Sequence, residues 1–280
     1  MTRFIVVPQW QGSPSARSMT LIDGADAIAG DLPRSATARV EVPVEAGEAL
    51  DTGIRRFSSL QRVRDLITTA LTEADGSTEA AGVATGHTVV VGGDCGVAVP
   101  AIAYAAARHP ELAVVWFDAH ADLHTPDSSP SGAFAGMALR AVFDGSPLTP
   151  DASVPAERVI LAGARELDEA EAETARTSGL AHLGVEDLTD PARLADVVAA
   201  TGARAVYVHV DLDVLDPAAI TGVAAPVPFG LEVASLTGTI GLLRERLPIV
   251  GASVSGFAPP HADAVVSDMG SVLRVVGALA

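Results

Sequence analysis

Two stretches of sequence decide the fold: Trp116-Phe117-Asp118-Ala119-His120-Ala121-Asp122 and Asp211-Leu212-Asp213-Val214-Leu215-Asp216-Pro217. Each follows an apolar run typical of a buried strand, Leu112–Phe117 before the first and Ala205–Val210 before the second. Burying a carboxylate without a compensating charge costs several kcal/mol, so proteins avoid it unless a cation or hydrogen-bond donors are present. Acids clustered after two buried strands therefore indicate a metal site.

The rest of the chain alternates between patterns typical of strands and of helices, which predicts an α/β fold. We expect a single-domain, three-layer α/β/α structure with a mostly parallel central sheet over residues 1–280. The other predicted strands are Phe4–Val7, Arg39–Val44, His87–Val91, Arg158–Ala162, Leu180–Leu183 and Ile249–Val254. The predicted helices are Gly24–Leu32, Phe57–Glu73, Val97–Arg108, Gly136–Phe143, Asp168–Thr177 and Pro191–Ala200.

Composition excludes several classes of protein. The chain has 280 residues, of which 49% are hydrophobic and 19% charged, as in a globular enzyme. A net charge of −17 argues against binding to nucleic acid or to an anionic membrane. The single cysteine, Cys95, excludes an intramolecular disulfide. Because the first apolar run is too short for a signal peptide, we expect a cytoplasmic protein.

The acidic residues are spaced for a site with two metal ions. In parallel α/β sheets, ligands bind outside the carboxyl ends of the strands. At the spacing of a strand, Asp118, His120 and Asp122 would point from one face, as would Asp211 and Asp213. Five such ligands exceed the need of one ion and predict two ions that share carboxylates. Oxygen-rich ligands with one imidazole favour Mn²⁺.

The motifs resemble those of the arginase/agmatinase superfamily, the ureohydrolases. Its members carry GGDH, DAHxD and DxDxxDP blocks in this order, and here they read Gly92–Cys95, Asp118–Asp122 and Asp211–Pro217. The resemblance implies an arginase-like fold, a homotrimer or homohexamer, and hydrolysis of linear C–N bonds in a small guanidino or amidino compound. It further implies that a metal-bridging hydroxide attacks the planar carbon.

The resemblance also implies roles for individual residues. Asp118 and Asp211 would bridge the two ions, while Asp122 with Cys95 and His120 with Asp213 would complete one site each. Asp122 would also accept a hydrogen bond from the nucleophile and so take part in catalysis. The family's loop that grips the amino-acid end of the substrate corresponds to the region of Ser131, and we predict that Glu166 contacts the substrate as well.

This sequence departs from the family at three positions. Cys95 replaces a histidine ligand, and because a thiolate is a softer ligand than imidazole, Zn²⁺, Fe²⁺ or Co²⁺ becomes possible. Some relatives that act on modified arginines also have cysteine at this position, so the replacement is compatible with activity. The segment 132–137 lacks the family's proton-shuttle histidine, and His124 is the nearest substitute for catalysis or substrate binding. Gly256 stands where the family has a glutamate that pairs with the guanidinium, which weakens the case for arginine itself.

The sequence leaves three functions open. The first is a metal-dependent amidinohydrolase of the ureohydrolase type, with His124 in a catalytic or substrate-binding role. The second is a member of the same fold that binds metal but has lost turnover and serves in regulation or binding. The third, nucleotide binding at Gly92-Gly93, is disfavoured because the Gly-x-Gly-x-x-Gly pattern and a P-loop lysine are missing.

Overall fold

The chain folds around one sheet of eight parallel strands in the order β2-β1-β3-β8-β7-β4-β5-β6. The computed structural model describes residues 2–80, 87–149, 151 and 153–280. The strands are β1 Arg3–Val7, β2 Thr37–Arg39, β3 Thr88–Gly92, β4 Leu112–Phe117, β5 Val159–Ala162, β6 Ala181–Leu183, β7 Ala205–Asp211 and β8 Ile249–Ser255.

Helices cover both faces of the sheet. They are α1 Thr20–Gly30, α2 Phe57–Ala80, α3 Ala98–Ala106, α4 Ala138–Asp144, α5 Glu169–Thr177, α6 Pro191–Ala200, α7 Val233–Arg246 and α8 Ala262–Leu279. One apolar cluster joins a face of the sheet to α1, α6, α7 and α8, and a second cluster joins the other face to α2, α3 and α4. The predicted three-layer α/β/α fold with a parallel sheet is therefore confirmed.

The central strands are buried on both sides, which explains their uninterrupted apolar sequences. All six residues of β4 and all seven of β7 are buried, and these two strands are neighbours in the sheet. A parallel sheet covered on both faces needs apolar side chains at every position rather than at alternate ones. Because β4 and β7 are adjacent, the two acidic clusters that follow them emerge side by side at the same edge.

Several predicted boundaries were wrong. The second strand is Thr37–Arg39 and not Arg39–Val44, because only Val40 adds one further bond to β1 before Pro43, which has no N–H to donate. The second helix continues past Glu73 to Ala80.

The two C-terminal helices, α7 and α8, were not predicted, and they change the interpretation of one segment. The segment after β8, for which no helix was predicted, begins α8: His261 caps it by accepting a bond from the backbone N–H of Ala264, and Asp263 lies in its first turn. Neither helix can cross a membrane, and no helix in the described part of the chain is long and apolar enough to do so.

Candidate metal centre

A cavity of about 470 Å³ opens at the carboxyl ends of the strands. Its lining includes residues that follow β3, β4, β7 and β8, together with parts of the loops after β1 and β5. All six residues predicted to bind metal line this one cavity: Cys95, Asp118, His120, Asp122, Asp211 and Asp213. The topology thus brings together side chains that lie more than 100 residues apart in sequence.

The first acidic cluster is a loop and not the extension of a strand. Strand β4 ends at Phe117, and Asp122 has a left-handed backbone with a φ of 54°. The expected alternation along a strand is therefore wrong, although the side chains still converge. His120 Nδ1 lies 3.0 Å from Asp213 Oδ2 and 3.4 Å from Asp118 Oδ1. The loop is held in place because the backbone N–H groups of Arg165 and Glu166 both donate to the carbonyl of Ala119.

The second acidic cluster forms a tight turn at the end of β7. Asp211 is the last residue of that strand, and Asp213 lies in the single 3₁₀ turn Leu212–Val214. The backbone N–H of Asp213 donates to Asp211 Oδ1 at 3.2 Å, and Ser255 Oγ donates to Asp211 Oδ2 at 2.8 Å. Asp213 Oδ1 also accepts a bond from the N–H of Ala119 at 3.1 Å. This last bond ties the two clusters to each other.

Cys95 belongs to the apolar core, and its sulfur lies against a carboxylate of the metal centre. It begins a 3₁₀ turn after β3, and its Sγ donates to Asp122 Oδ2 at 3.1 Å. Burial and the negative charge of Asp122 together raise the pKa of the Cys95 thiol well above its usual value. The sulfur is therefore placed beside the residue with which it was predicted to share an ion.

The pKa values of this cluster are shifted because its carboxylates are buried close together. Burial and the charge of Asp213 raise the pKa of Asp211 to about 7, and burial and the charge of Asp118 raise that of Asp213 to about 6. Burial, followed by the charge of Asp118, also raises the pKa of Asp122. Burial lowers the pKa of His120, but hydrogen bonds to Asp118 and Asp213 outweigh it and raise the value to about 12. Buried carboxylates that repel one another in this way fit a divalent cation.

His124, Asp168 and Glu171 form a second group at the wall of the same cavity. His124 Nε2 lies 3.3 Å from Asp168 Oδ2 and 3.9 Å from Glu171 Oε1, and the three could also hold an ion. Only His124 was predicted from the sequence. Asp168 and Glu171 form a capping box at the start of α5, a pattern that is readable in the sequence but predicts a helix end and not a site.

The two predicted substrate residues behave differently. Glu166 lines the cavity, beside the loop that carries His120. Ser131 does not line it, and its Oγ accepts a bond from the N–H of Ala133 at 3.1 Å. Its contact with a substrate stays a prediction.

The loop after β1 forms a part of the wall that was not predicted from the sequence. Ser13, Pro14 and Ser15 line the cavity, and buried Asp94 holds this loop through bonds from Gln9 Nε2 and the Gly12 N–H. No motif marks these residues, because their place in the cavity depends on a contact 82 residues away in sequence.

Gly256, where the resemblance implies a glutamate, lies against the metal centre. Its φ is +86°, and a Cβ atom there would lie only 2.0 Å from Asp211 Oδ1. The backbone and the neighbouring carboxylate thus leave no room for a side chain at this position. The space that a side chain at position 256 would need is therefore occupied by the Asp211 carboxylate.

Comparison with known proteins agrees with this geometry. The sequence model of the Arginase family matches residues 26–273. The chain is 33% identical to an arginase of Bacillus caldovelox over 176 residues, which cover 59% of this chain and 58% of that enzyme. It is 28% identical to an N(omega)-hydroxy-L-arginine amidinohydrolase of Streptomyces lavendulae over 192 residues, 65% of this chain and 67% of that one.

The fold is also that of a solved arginase. The structure of the Bacillus caldovelox enzyme superposes with a TM-score of 0.82 at 24% identity, covering 98% of this chain and 97% of that one. In sequence, the chain spans about three fifths of the length of the curated relatives it matches. The matched region includes every block of the metal centre, from Gly92 to Pro217. The chain belongs to the Arginase family.

Proposed function

We propose that this chain is a metal-dependent hydrolase that cleaves a linear C–N bond in a small guanidino or amidino compound. The observation that carries the proposal is the meeting of all six predicted ligands in one cavity. Membership in the Arginase family supports it, as do relatives named arginase and N(omega)-hydroxy-L-arginine amidinohydrolase.

The ligand set suits two divalent ions. Asp118 and Asp211 would bridge them, Cys95 and Asp122 would complete one site, and His120 and Asp213 the other. When bound, such ions lower the pKa of a water molecule and so supply the nucleophile at neutral pH. The excess of carboxylates favours Mn²⁺, whereas the thiol of Cys95 would bind Zn²⁺, Fe²⁺ or Co²⁺ more strongly.

The charge of the cavity favours a cationic substrate. Eight acidic side chains line it, and among the described residues that line it there is no arginine or lysine. Three of the four acids outside the ligand set, Glu166, Asp168 and Glu171, are placed to receive an amino group of the substrate; the fourth, Asp94, holds the loop after β1. His124 Nε2, which faces Asp168, would carry a proton to the leaving nitrogen.

Gly256 indicates which substrates are disfavoured. A carboxylate that pairs with a guanidinium in a buried site contributes about 1.5–3 kcal/mol as a charge-assisted hydrogen bond. Because no side chain fits at Gly256, that contribution is missing here. We therefore propose a modified guanidine or an amidine, rather than arginine, as the preferred substrate.

We further propose that residues 1–280 act as one arginase-like unit and assemble into a homotrimer or homohexamer. Light scattering of the purified protein measures the number of subunits directly, and a monomeric mass would contradict this assembly.

A hydrolysis screen tests the proposed function. The protein, reconstituted with Mn²⁺, Zn²⁺, Fe²⁺ or Co²⁺, is incubated with guanidino, amidino and formimino compounds, and the released urea, amide or ammonia is measured. Asp122→Asn serves as the negative control, since it keeps the shape of the side chain but removes a charged ligand. Turnover that depends on the metal and disappears in the variant supports the proposal. Metal bound without turnover on any compound would instead favour a binding role.

A further inference from the structure

A histidine outside the predicted ligand set lies beneath the metal centre. His209 is on β7, two residues before Asp211, so that both side chains point to the same face of the sheet. Its Cα is paired with Trp116 on β4 and with Ser253 on β8, and the side chain is completely buried. No sequence motif identifies it, because it lies within the apolar run of the strand.

One nitrogen of this buried ring has no hydrogen-bond partner. His209 Nδ1 lies 2.8 Å from Ser253 Oγ, whereas Nε2 finds no partner among the residues that the structure describes. Buried polar atoms are nearly always satisfied in native proteins, so a ring nitrogen without a protein partner calls for a bound water or ion. A hydrogen on Nδ1, donated to Ser253, leaves a lone pair on Nε2, the form in which imidazole binds metals.

The ring is oriented towards the two carboxylates expected to bridge the ions. Trp116 packs against it, with ring centroids 3.9 Å apart, and donates its own Nε1–H to Asp118 Oδ2 at 3.1 Å. One ring nitrogen of His209 and one oxygen each of Asp118 and Asp211 lie within 4.8 Å of one another. All three residues are buried.

These observations lead to one assignment, which rests on the metal centre of the proposed function. We propose that His209 Nε2 is a ligand of an ion held by Asp118 and Asp211. With bonds of about 2.1 Å to imidazole nitrogen and carboxylate oxygen, two ligand atoms of one ion lie at most about 4.2 Å apart. The 4.8 Å limit on the spacing of the three ligand atoms here is close to that value. The centre would then have two imidazoles, His120 from the loop and His209 from the sheet, although Cys95 replaces the family's histidine.

The number of coordinated imidazoles distinguishes a ligand from a residue that only supports the site. Protein labelled with ¹⁵N-histidine is loaded with Mn²⁺ and studied by electron spin echo spectroscopy, which detects nitrogen bound to the ion. The wild-type protein should show two coordinated imidazoles. His209→Asn, whose amide can still reach Ser253, should show one and bind Mn²⁺ at least about tenfold more weakly. His109→Asn, at the opposite end of the sheet, should show two and bind Mn²⁺ as the wild type does.

The outcomes separate this inference from the proposed function. A single coordinated imidazole in the wild-type protein, lost in His120→Asn, would overturn the role of His209 and leave the proposed function intact. Two imidazoles without hydrolysis of any compound would support the ligand and contradict the activity. If His209→Asn does not fold, the double variant His120→Asn, His124→Asn decides the question, because a coordinated imidazole that remains in it belongs to neither His120 nor His124. Failure of the wild-type protein to bind any of Mn²⁺, Zn²⁺, Fe²⁺ and Co²⁺ would overturn both proposals.

Discussion

Replacing Gly256 with alanine tests how closely the end of β8 is packed against the metal centre. The new Cβ would lie 2.0 Å from Asp211 Oδ1 and 2.8 Å from Asp211 Cγ, so the carboxylate must move. A residue other than glycine at a φ of +86° costs about 1–2 kcal/mol in backbone strain. Overpacking a filled site costs about 1–3 kcal/mol more. We expect Gly256→Ala to lower the free energy of unfolding by about 2–5 kcal/mol.

The same substitution should also weaken metal binding, because Asp211 is a predicted bridge. Urea unfolding of the metal-free protein measures the stability, and isothermal titration with Mn²⁺ measures the affinity. Gly241→Ala is a matched control: it lies inside α7, and a Cβ there meets nothing within 4 Å. That control should raise the stability by about 0.5–1 kcal/mol, since alanine favours a helix. If Gly256→Ala matched the wild type in both stability and affinity, the packing argument would be refuted.

Three further predictions concern the supports of the site. Asp94→Asn should lower the free energy of unfolding, measured in urea, by about 1–3 kcal/mol, because an amide N–H would then face the Gly12 N–H. The control Asp127→Asn, at an exposed position, should change that free energy little. Arg165→Met should weaken Mn²⁺ binding in titration, since the guanidinium donates to the carbonyls of Asp213, Val214 and Val227; unchanged affinity would count against this. Removing the bound metal with a chelator should lower the midpoint temperature of thermal unfolding. Adding Mn²⁺ back at about 100 times its Kd should raise the free energy of unfolding by about 2.7 kcal/mol.

The fold could be predicted well where local sequence and tertiary environment agree. Strand β4 has the predicted bounds because all of its residues are buried and apolar. Helix α6 also has the predicted bounds, because Asp190 caps it and Pro191 is its first residue. Helices α7 and α8 were missed. Helix α7 contains Gly238 and Gly241, which weaken its local preference, and packing of Leu236 against the sheet decides its structure.

The metal ligands could be predicted because their chemistry is unusual in any sequence. Burying carboxylates after a strand costs free energy unless a cation compensates, so their presence there indicates a metal site from the sequence alone. The other residues of the site carry no such signal. Ser13 and Ala224 are ordinary residues in loops, and only the fold places them in the cavity. His209 is hidden for the opposite reason, because a single polar residue within a buried strand gives no pattern of spacing.

The geometry of the site depends on backbone contacts between loops more than on the strands themselves. Asp213 accepts a bond from Ala119, Ala119 in turn accepts bonds from Arg165 and Glu166, and the Arg165 guanidinium donates back to the carbonyl of Asp213. This closed ring of contacts fixes the two acidic clusters relative to each other before any ion binds. The carboxylates still repel one another, so the ring holds them in an arrangement that only a cation makes favourable. Cys95 takes no part in this ring, so the arrangement of the two acidic clusters does not depend on which residue stands at position 95.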